Sequence, residues 1–316
     1  MDFKLLFTFL LLIIGFVLLI KGADFFVDGS VSVARRLRVP TLIIGMTIVA
    51  MGTSLPECSV TITASLSGQN SLAISNAIGS NLFNLMAICG ICSIFSPLAV
   101  SRDTLKKDLP FSVLCAIFLL AMGFGHHKVT RLDGILLLLV FAIFLFYMIV
   151  SAKKARTNAE EQDDTTELIP VWKSILFIVL GAAAIACGGD LVVDSASVIA
   201  ARFGMSQTLI GLTICAIGTS LPELVTSIVA ARKNEADMAL GNVIGSNIFN
   251  ILFVLGIGGS ISPIDFITEN LIDITALIVM SLIVWAFAWT KCKIERKEGV
   301  IMVLMYAGYW AYICMR

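Results

Sequence analysis

Histidine is almost missing from this chain: His126 and His127, side by side, are the only two in 316 residues. A hydrolase nucleophile needs a base beside it, and these two lie in one short loop, with no acidic neighbour to make them a metal site. Charge is scarce as well. Asp, Glu, Lys and Arg make up 14% of the chain, against about 25% in soluble domains, which excludes an ordinary soluble globular protein. Acidic and basic residues number 22 each, so no basic excess points to nucleic acid. Long polar stretches are also lacking, apart from KKARTNAEEQDDTTELIP at 153–170. Its acidic run lacks the D-x-D-x-D-G order of a calcium loop and reads as a solvated linker.

What the chain has is apolar length. Hydrophobic residues make up 58% and the mean hydropathy is +0.98. A helix crosses a bilayer with roughly 20 apolar residues. Ten candidate spans supply them, near 3–22, 41–66, 71–96, 109–125, 132–151, 171–191, 206–231, 237–260, 271–290 and 298–314. Spanning β-barrels alternate apolar and polar residues; these runs do not, so the fold class expected is all-α, multi-pass, in the cell (inner) membrane. The first run carries only Lys4, with Asp2 nearby, and no A-x-A site follows, so it reads as a retained span.

Basic residues orient the chain. Sixteen fall in one set of loops, including Arg35, Arg36, Arg102, Lys107, Lys154, Lys233, Lys293 and Arg296; five fall in the other, Lys4, Lys128, Arg131, Arg202 and Arg316. Both termini are therefore expected outside the cytoplasm. The eight cysteines, Cys58, Cys89, Cys92, Cys115, Cys187, Cys215, Cys292 and Cys314, lie in or at the ends of apolar runs. They read as small packing residues, the C-x-x-C of Cys89 and Cys92 included.

The chain repeats itself. A shift of 166 positions aligns 22–97 with 188–263 without a gap and matches 31 of 76 residues. The matches are polar residues, glycine and proline rather than interchangeable aliphatics: Asp24/Asp190, Asp28/Asp194, GTSLPE at 52–57 and 218–223, and NAIGSNLFN (76–84) against NVIGSNIFN (242–250). Five spans per copy is an odd number, so the copies enter the membrane in opposite senses. Inverted repeats with interrupted helices in matching positions point to a transporter's midplane site. The expected division is a first five-helix unit at 1–152, the linker at 153–170 and a second unit at 171–316.

GTSLPE is the interruption. Pro56 has no N–H and clashes with the carbonyl one turn back, while Gly52 lets the backbone bend. Freed carbonyls at membrane depth must line a cavity or coordinate something. Glu57 follows the break and Glu223 follows its twin, and an ionisable residue within a span marks a functional site. Asn76, Ser80 and Asn84 share one face of the next helix at i, i+4 and i+8, as do Asn242, Ser246 and Asn250. Asn76, Asn81, Asn242 and Asn247 fit polar glue between helices; two glutamates without a lysine, arginine or histidine in these segments do not. A bound cation supplies the missing charge. The ligands are carboxylate, amide, hydroxyl and carbonyl oxygens, which suit calcium and not soft transition metals; sodium ions or two protons could use the same oxygens.

The paired G-T-S-L-P-E and G-S-N-[LI]-F-N blocks resemble the α-repeats of the cation/calcium exchanger superfamily, closest to its prokaryotic sodium/calcium exchangers. The resemblance covers the whole ten-span plan and is most specific over 41–97 and 207–263. It implies that Glu57 and Glu223 bind calcium, with Thr53, Ser54, Thr219, Ser220 and the backbone of Ala50 and Ala216 completing calcium and sodium sites. Ser80, Asn84, Ser246 and Asn250 match the remaining ligand positions. Some prokaryotic members carry Asp where this chain has Asn250, so the site here has two carboxylates. The activity implied is calcium/sodium antiport by alternating access, without an enzymatic reaction, a cofactor or an obligatory protein partner. A proton/calcium exchanger of the same fold is the nearest alternative. A cation channel is the next, because acidic rings also select cations, and intramembrane proteolysis at the G-x-S-x pattern lacks its base.

Overall fold

The computed structural model describes residues 3–158, 169–205, 214 and 216–315. Its long helices are α1 (Phe3–Leu37), α4 (Leu72–Phe95), α5 (Thr104–Gly125), α6 (Arg131–Asn158), α7 (Val171–Arg202), α10 (Ala236–Ile261), α11 (Thr268–Lys291) and α12 (Arg296–Met315). Between α1 and α4 lie α2 (Thr41–Thr53) and α3 (Leu55–Leu66), bent 48° at their junction. The corresponding stretch of the second half holds α8 (Ala216–Gly218) and α9 (Leu221–Arg232). Among the described residues, eight helices are long and apolar enough to span a bilayer, or nine with the bent pair as one. The expected span at 206–231 lies partly outside the described residues.

Two helices outrun their apolar stretches. The first run ends near 22, yet α1 continues to Leu37; the run at 171–191 likewise continues in α7 to Arg202. The two pack antiparallel along their length, and glycine sets their separation. A Cβ on Gly188 would lie 2.8 Å from the Gly15 carbonyl oxygen, and one on Gly181 would lie 2.8 Å from that of Gly22. Small residues at such crossings let backbones approach in the absence of a hydrophobic drive between helices. Gly188→Val should therefore force α1 and α7 apart and cost about 1–3 kcal/mol, read as a lower thermal midpoint in detergent. Gly308→Ala, which would meet nothing within 4 Å, should leave the midpoint in place.

The centre is built from α4 and α10, whose spanning windows are 78% and 89% buried, against 17% for α1 and 22% for α6. The outward faces of α1 and α6 carry Leu6, Phe7, Leu10, Leu139, Ile143 and Phe146, as lipid-facing helices do. Among the described residues, four two-residue strands, which an all-α reading did not anticipate, tie the halves together at their ends. β1 (Leu98–Ala99) pairs antiparallel with β4 (Lys293–Ile294), and β2 (Lys128–Val129) with β3 (Ile264–Asp265). One end of the molecule gathers the basic loops. There Arg35 pairs with Glu235 at 3.2 Å, and Arg102, Lys107 and Lys154 line one cavity with Pro40 and Asp237.

The described cysteines are all free thiols; Cys58, Cys89, Cys92 and Cys115 are buried, and Cys215 lies outside the described residues. Of the linker, 159–168 lie outside them too.

Candidate ion-binding site

The proline break positions the acids. Ser54, between α2 and α3, leaves the helical region at φ −85° and ψ 14°, and Ser220 does the same in the second half at −93° and 6°. Each proline then occupies the first turn of the helix that follows, where a missing N–H is harmless. Glu57 and Glu223 therefore fall in the first turns of α3 and α9, where the positive end of the helix favours a carboxylate. Gly52 makes the bend possible against α1, since a Cβ there would lie 2.7 Å from the Phe26 ring.

Both glutamates are fully buried, and each is held by the opposite half. Ser54 donates to Glu223 Oε1 at 2.7 Å, while Ser220 and Ser80 each donate to Glu57 Oε1 at 3.2 Å. The hydroxyls of Ser80 and Ser220 lie 2.9 Å apart, and Asn250 Nδ2 donates to Ser80 at 3.3 Å and to Asn81 Oδ1 at 3.1 Å. On the other side Thr53 donates to Asn242 Oδ1 at 3.2 Å, and Asn242 Nδ2 donates to Ser227 at 2.9 Å and to the Glu223 carbonyl at 3.4 Å. Thr53 and Ser54 of the first GTSLPE and Ser220 of the second thus serve the other repeat.

Other expected ligands stand apart from this network. Asn84, Ser246 and Thr219 each carry a buried oxygen without a hydrogen-bond partner. The Ala50 carbonyl accepts the Ser54 N–H at 3.1 Å and the Thr53 hydroxyl at 3.4 Å, so as placed it is engaged within its own chain segment. Ala216 opens the short helix α8. Two residues matter more than their spacing suggested: Asn242 bridges Thr53 to the Glu223 backbone, and Asn81 takes the Asn250 amide. Both belong to the repeated N-x-x-G-S-N block. Asn81 and Asn247 also donate to each other's carbonyls at 3.1 and 3.2 Å, which is the gluing role expected of them.

Local geometry adds a feature without a sequence signal. A π-helical turn runs over Phe83–Ile88 in α4 and another over Asn250–Val254 in α10. Such bulges recur at functional sites because the wider turn re-aims side chains, and here they begin at or beside Asn84 and Asn250.

Beside the unpartnered Asn84 Nδ2, the open atoms of the site are oxygens. Glu57 Oε2, Glu223 Oε2, Asn84 Oδ1, Asn250 Oδ1, Ser246 Oγ and Thr219 Oγ1 are buried and unpartnered. Buried polar atoms are ordinarily bonded, and each exception asks for a reason. Among the described residues every lysine and arginine ion pair lies elsewhere, on Asp24, Asp28, Asp103, Glu235 and Glu295. Two buried carboxylates without a protein cation, surrounded by neutral oxygens, suit a hard cation that takes 6–8 oxygens. No group of three or more His, Cys, Asp or Glu suited to a metal occurs among the described residues, so such an ion would be held largely by hydroxyl and amide oxygens.

Comparison with known proteins agrees. The family model described as sodium/calcium exchanger protein matches residues 7–150 and 173–315. The sodium/calcium exchanger MaX1 of Methanosarcina acetivorans is 32% identical, over 96% of this chain and 97% of its own. The inner membrane protein YrbG of Escherichia coli is 36% identical, over 96% and 95%. A solved structure of the sodium-calcium exchanger NCX_Mj superposes with a TM-score of 0.84 at 32% identity, covering 98% of this chain and 99% of that one. The chain belongs to the sodium/calcium exchanger protein family.

Proposed function

We propose that this chain exchanges calcium for sodium across the membrane, with Glu57 and Glu223 jointly holding calcium at the centre of two inverted five-helix units. One observation carries the reading: each repeat buries one carboxylate, bonds it to a hydroxyl of the other repeat and leaves its second oxygen unpartnered. Thr53, Ser54, Ser80, Thr219, Ser220, Ser246, Asn84 and Asn250 supply neutral oxygens for calcium or for the sodium ions that replace it. The carbonyls of Ala50 and Ala216 join them when the break rearranges. The units are 1–152 and 171–316, with 153–170 as linker, and the full plan is ten spans. The work is transport by alternating access rather than catalysis. The transported ions are the cargo, and no separate cofactor is involved.

Reconstitution into liposomes tests this. An outward sodium gradient should drive calcium in, with little uptake when choline replaces sodium. Uptake that follows a pH gradient and ignores sodium would make the chain a proton/calcium exchanger instead.

The orientation has its own test. The cationic end holds Arg35, Arg102, Lys107, Lys154 and Lys233, so the positive-inside rule places that end and the 153–170 linker in the cytoplasm and both termini outside. A reporter active only in the cytoplasm, fused after Arg316, should be silent, whereas one placed in the linker should be active. The reverse pattern would overturn the orientation.

A further inference from the structure

The duplication that copies Glu57 as Glu223 also copies an acidic pair outside the ion site: Asp24 and Asp28 on α1, Asp190 and Asp194 on α7. The structure treats the two pairs differently. On α1 the ammonium of Lys233 lies 2.7 Å from Asp28 Oδ1 and 3.4 Å from Asp24 Oδ1, and donates to the Asp24 carbonyl at 3.2 Å. The residue matching Lys233 in the first repeat is Ser67. Accordingly, among the described residues no cationic side chain pairs with Asp190 or Asp194.

Both of these aspartates are exposed although they sit within a long apolar helix. They line a cavity of about 530 Å³ that also touches Pro56, Gly218, Thr219 and Pro222. Those four residues belong to the two proline breaks, and Thr219 Oγ1 is one of the buried oxygens without a partner. The cavity therefore joins an acidic pair to the edge of the exchange site, at the end of the molecule opposite Lys233. Carboxylates at membrane depth persist where they face water or an ion path. In the sister repeat the matching carboxylate pair closes around a cation, the ammonium of Lys233.

We propose that Asp190 and Asp194 form a loose, hydrated collecting site for the transported cations on one face only, its counterpart on the other face being filled by the tethered ammonium of Lys233. This rests on the reading of Glu57 and Glu223 as the exchange site. Two charges in a narrow cleft focus the field and raise the local concentration of cations, with gains of about ten-fold upward in on-rate that fade with salt. A divalent ion gains more than a monovalent one, so calcium should benefit more than sodium. Because Lys233 and Lys21 together offset the charges of Asp24 and Asp28, the opposite face lacks the same collector, and calcium capture becomes lopsided between the faces.

The test uses the full chain in vesicles of defined orientation, with calcium as the probe and initial uptake measured at low and high choline chloride. In the Asp190→Asn/Asp194→Asn variant, the calcium concentration for half-maximal uptake should rise about ten-fold on the α7-cavity face. Saturating calcium should overcome the loss, high ionic strength should erase the difference from wild type, and the Lys233 face should not change. Asp194→Glu, which keeps the charge, should behave as wild type, and the single Asn variants should give smaller shifts in the same direction. Lys233→Met frees Asp24 and Asp28 and should lower the half-saturating calcium on its own face. Unchanged calcium and salt dependence in the Asn variants, beside a wild type that exchanges normally, would overturn the collecting site. A wild type without sodium-driven uptake would instead overturn the exchange reading beneath it.

Discussion

Glu57→Gln is expected to reduce sodium-driven calcium uptake to background, and Glu223→Gln to do the same. With both carboxylates ionised, a divalent ion between them is neutralised; with one amide it keeps a net charge in a site shut off from water. Each calcium–carboxylate contact at about 4 Å and an effective dielectric near 20 contributes roughly 4 kcal/mol per unit charge. Calcium carries two unit charges, so losing one carboxylate weakens its binding by at least ~10³-fold, at ~1.4 kcal/mol per factor of ten. Folding should survive, since a buried amide costs less than an unpaired carboxylate. The amide oxygen can still accept from Ser80 and Ser220 at position 57, or from Ser54 at position 223. Uptake and monodispersity measured on the same preparations separate the two effects. A monodisperse Glu57→Gln protein with wild-type uptake would remove the carboxylate pair from the mechanism.

The second large effect is on voltage. The ion-free site carries −2 when both glutamates are ionised; calcium makes it neutral, and so would two sodium ions or two protons. Three sodium ions make it +1. The serine and threonine hydroxyls of GTSLPE are present twice, and the unpartnered oxygens of Asn84, Asn250, Ser246 and Thr219 extend the donor set beyond what two protons would need. Exchange of three sodium ions for one calcium moves one net charge per cycle. Such a charge is worth about 2.3 kcal/mol per 100 mV, or roughly a 50-fold change in the calcium ratio at equilibrium. Clamping the liposome potential with potassium and an ionophore should shift uptake in the direction set by that charge. Uptake indifferent to the clamp would require a neutral exchange of two sodium ions.

Parts of this were legible in the sequence because they rest on single residues with strong physical consequences. Pro56 cannot donate, so a break near Gly52 was readable, and the 48° bend follows. The match of polar letters across 166 positions identified the residues that meet at the centre. Four features were not legible. Ser54 and Ser220 stand next to their own glutamates in the chain, yet fold places each on the opposite one. The π turns that begin at or beside Asn84 and Asn250 leave no mark in composition or period. The length of α1 was hidden because Asp24 and Asp28 end its apolar run, and the Lys233 that pairs with Asp28 lies 205 positions away. The strands failed for a simpler reason: at two residues each, they are too short to alternate.

Calcium binding to the purified chain, titrated calorimetrically at several sodium concentrations, tests the central claim most directly. Wild type should bind one calcium per chain, with an affinity that falls steeply as sodium rises, and the Glu57→Gln/Glu223→Gln double variant should bind none. Calcium binding that ignores sodium, or that persists when both carboxylates are gone, would contradict a shared two-carboxylate exchange site.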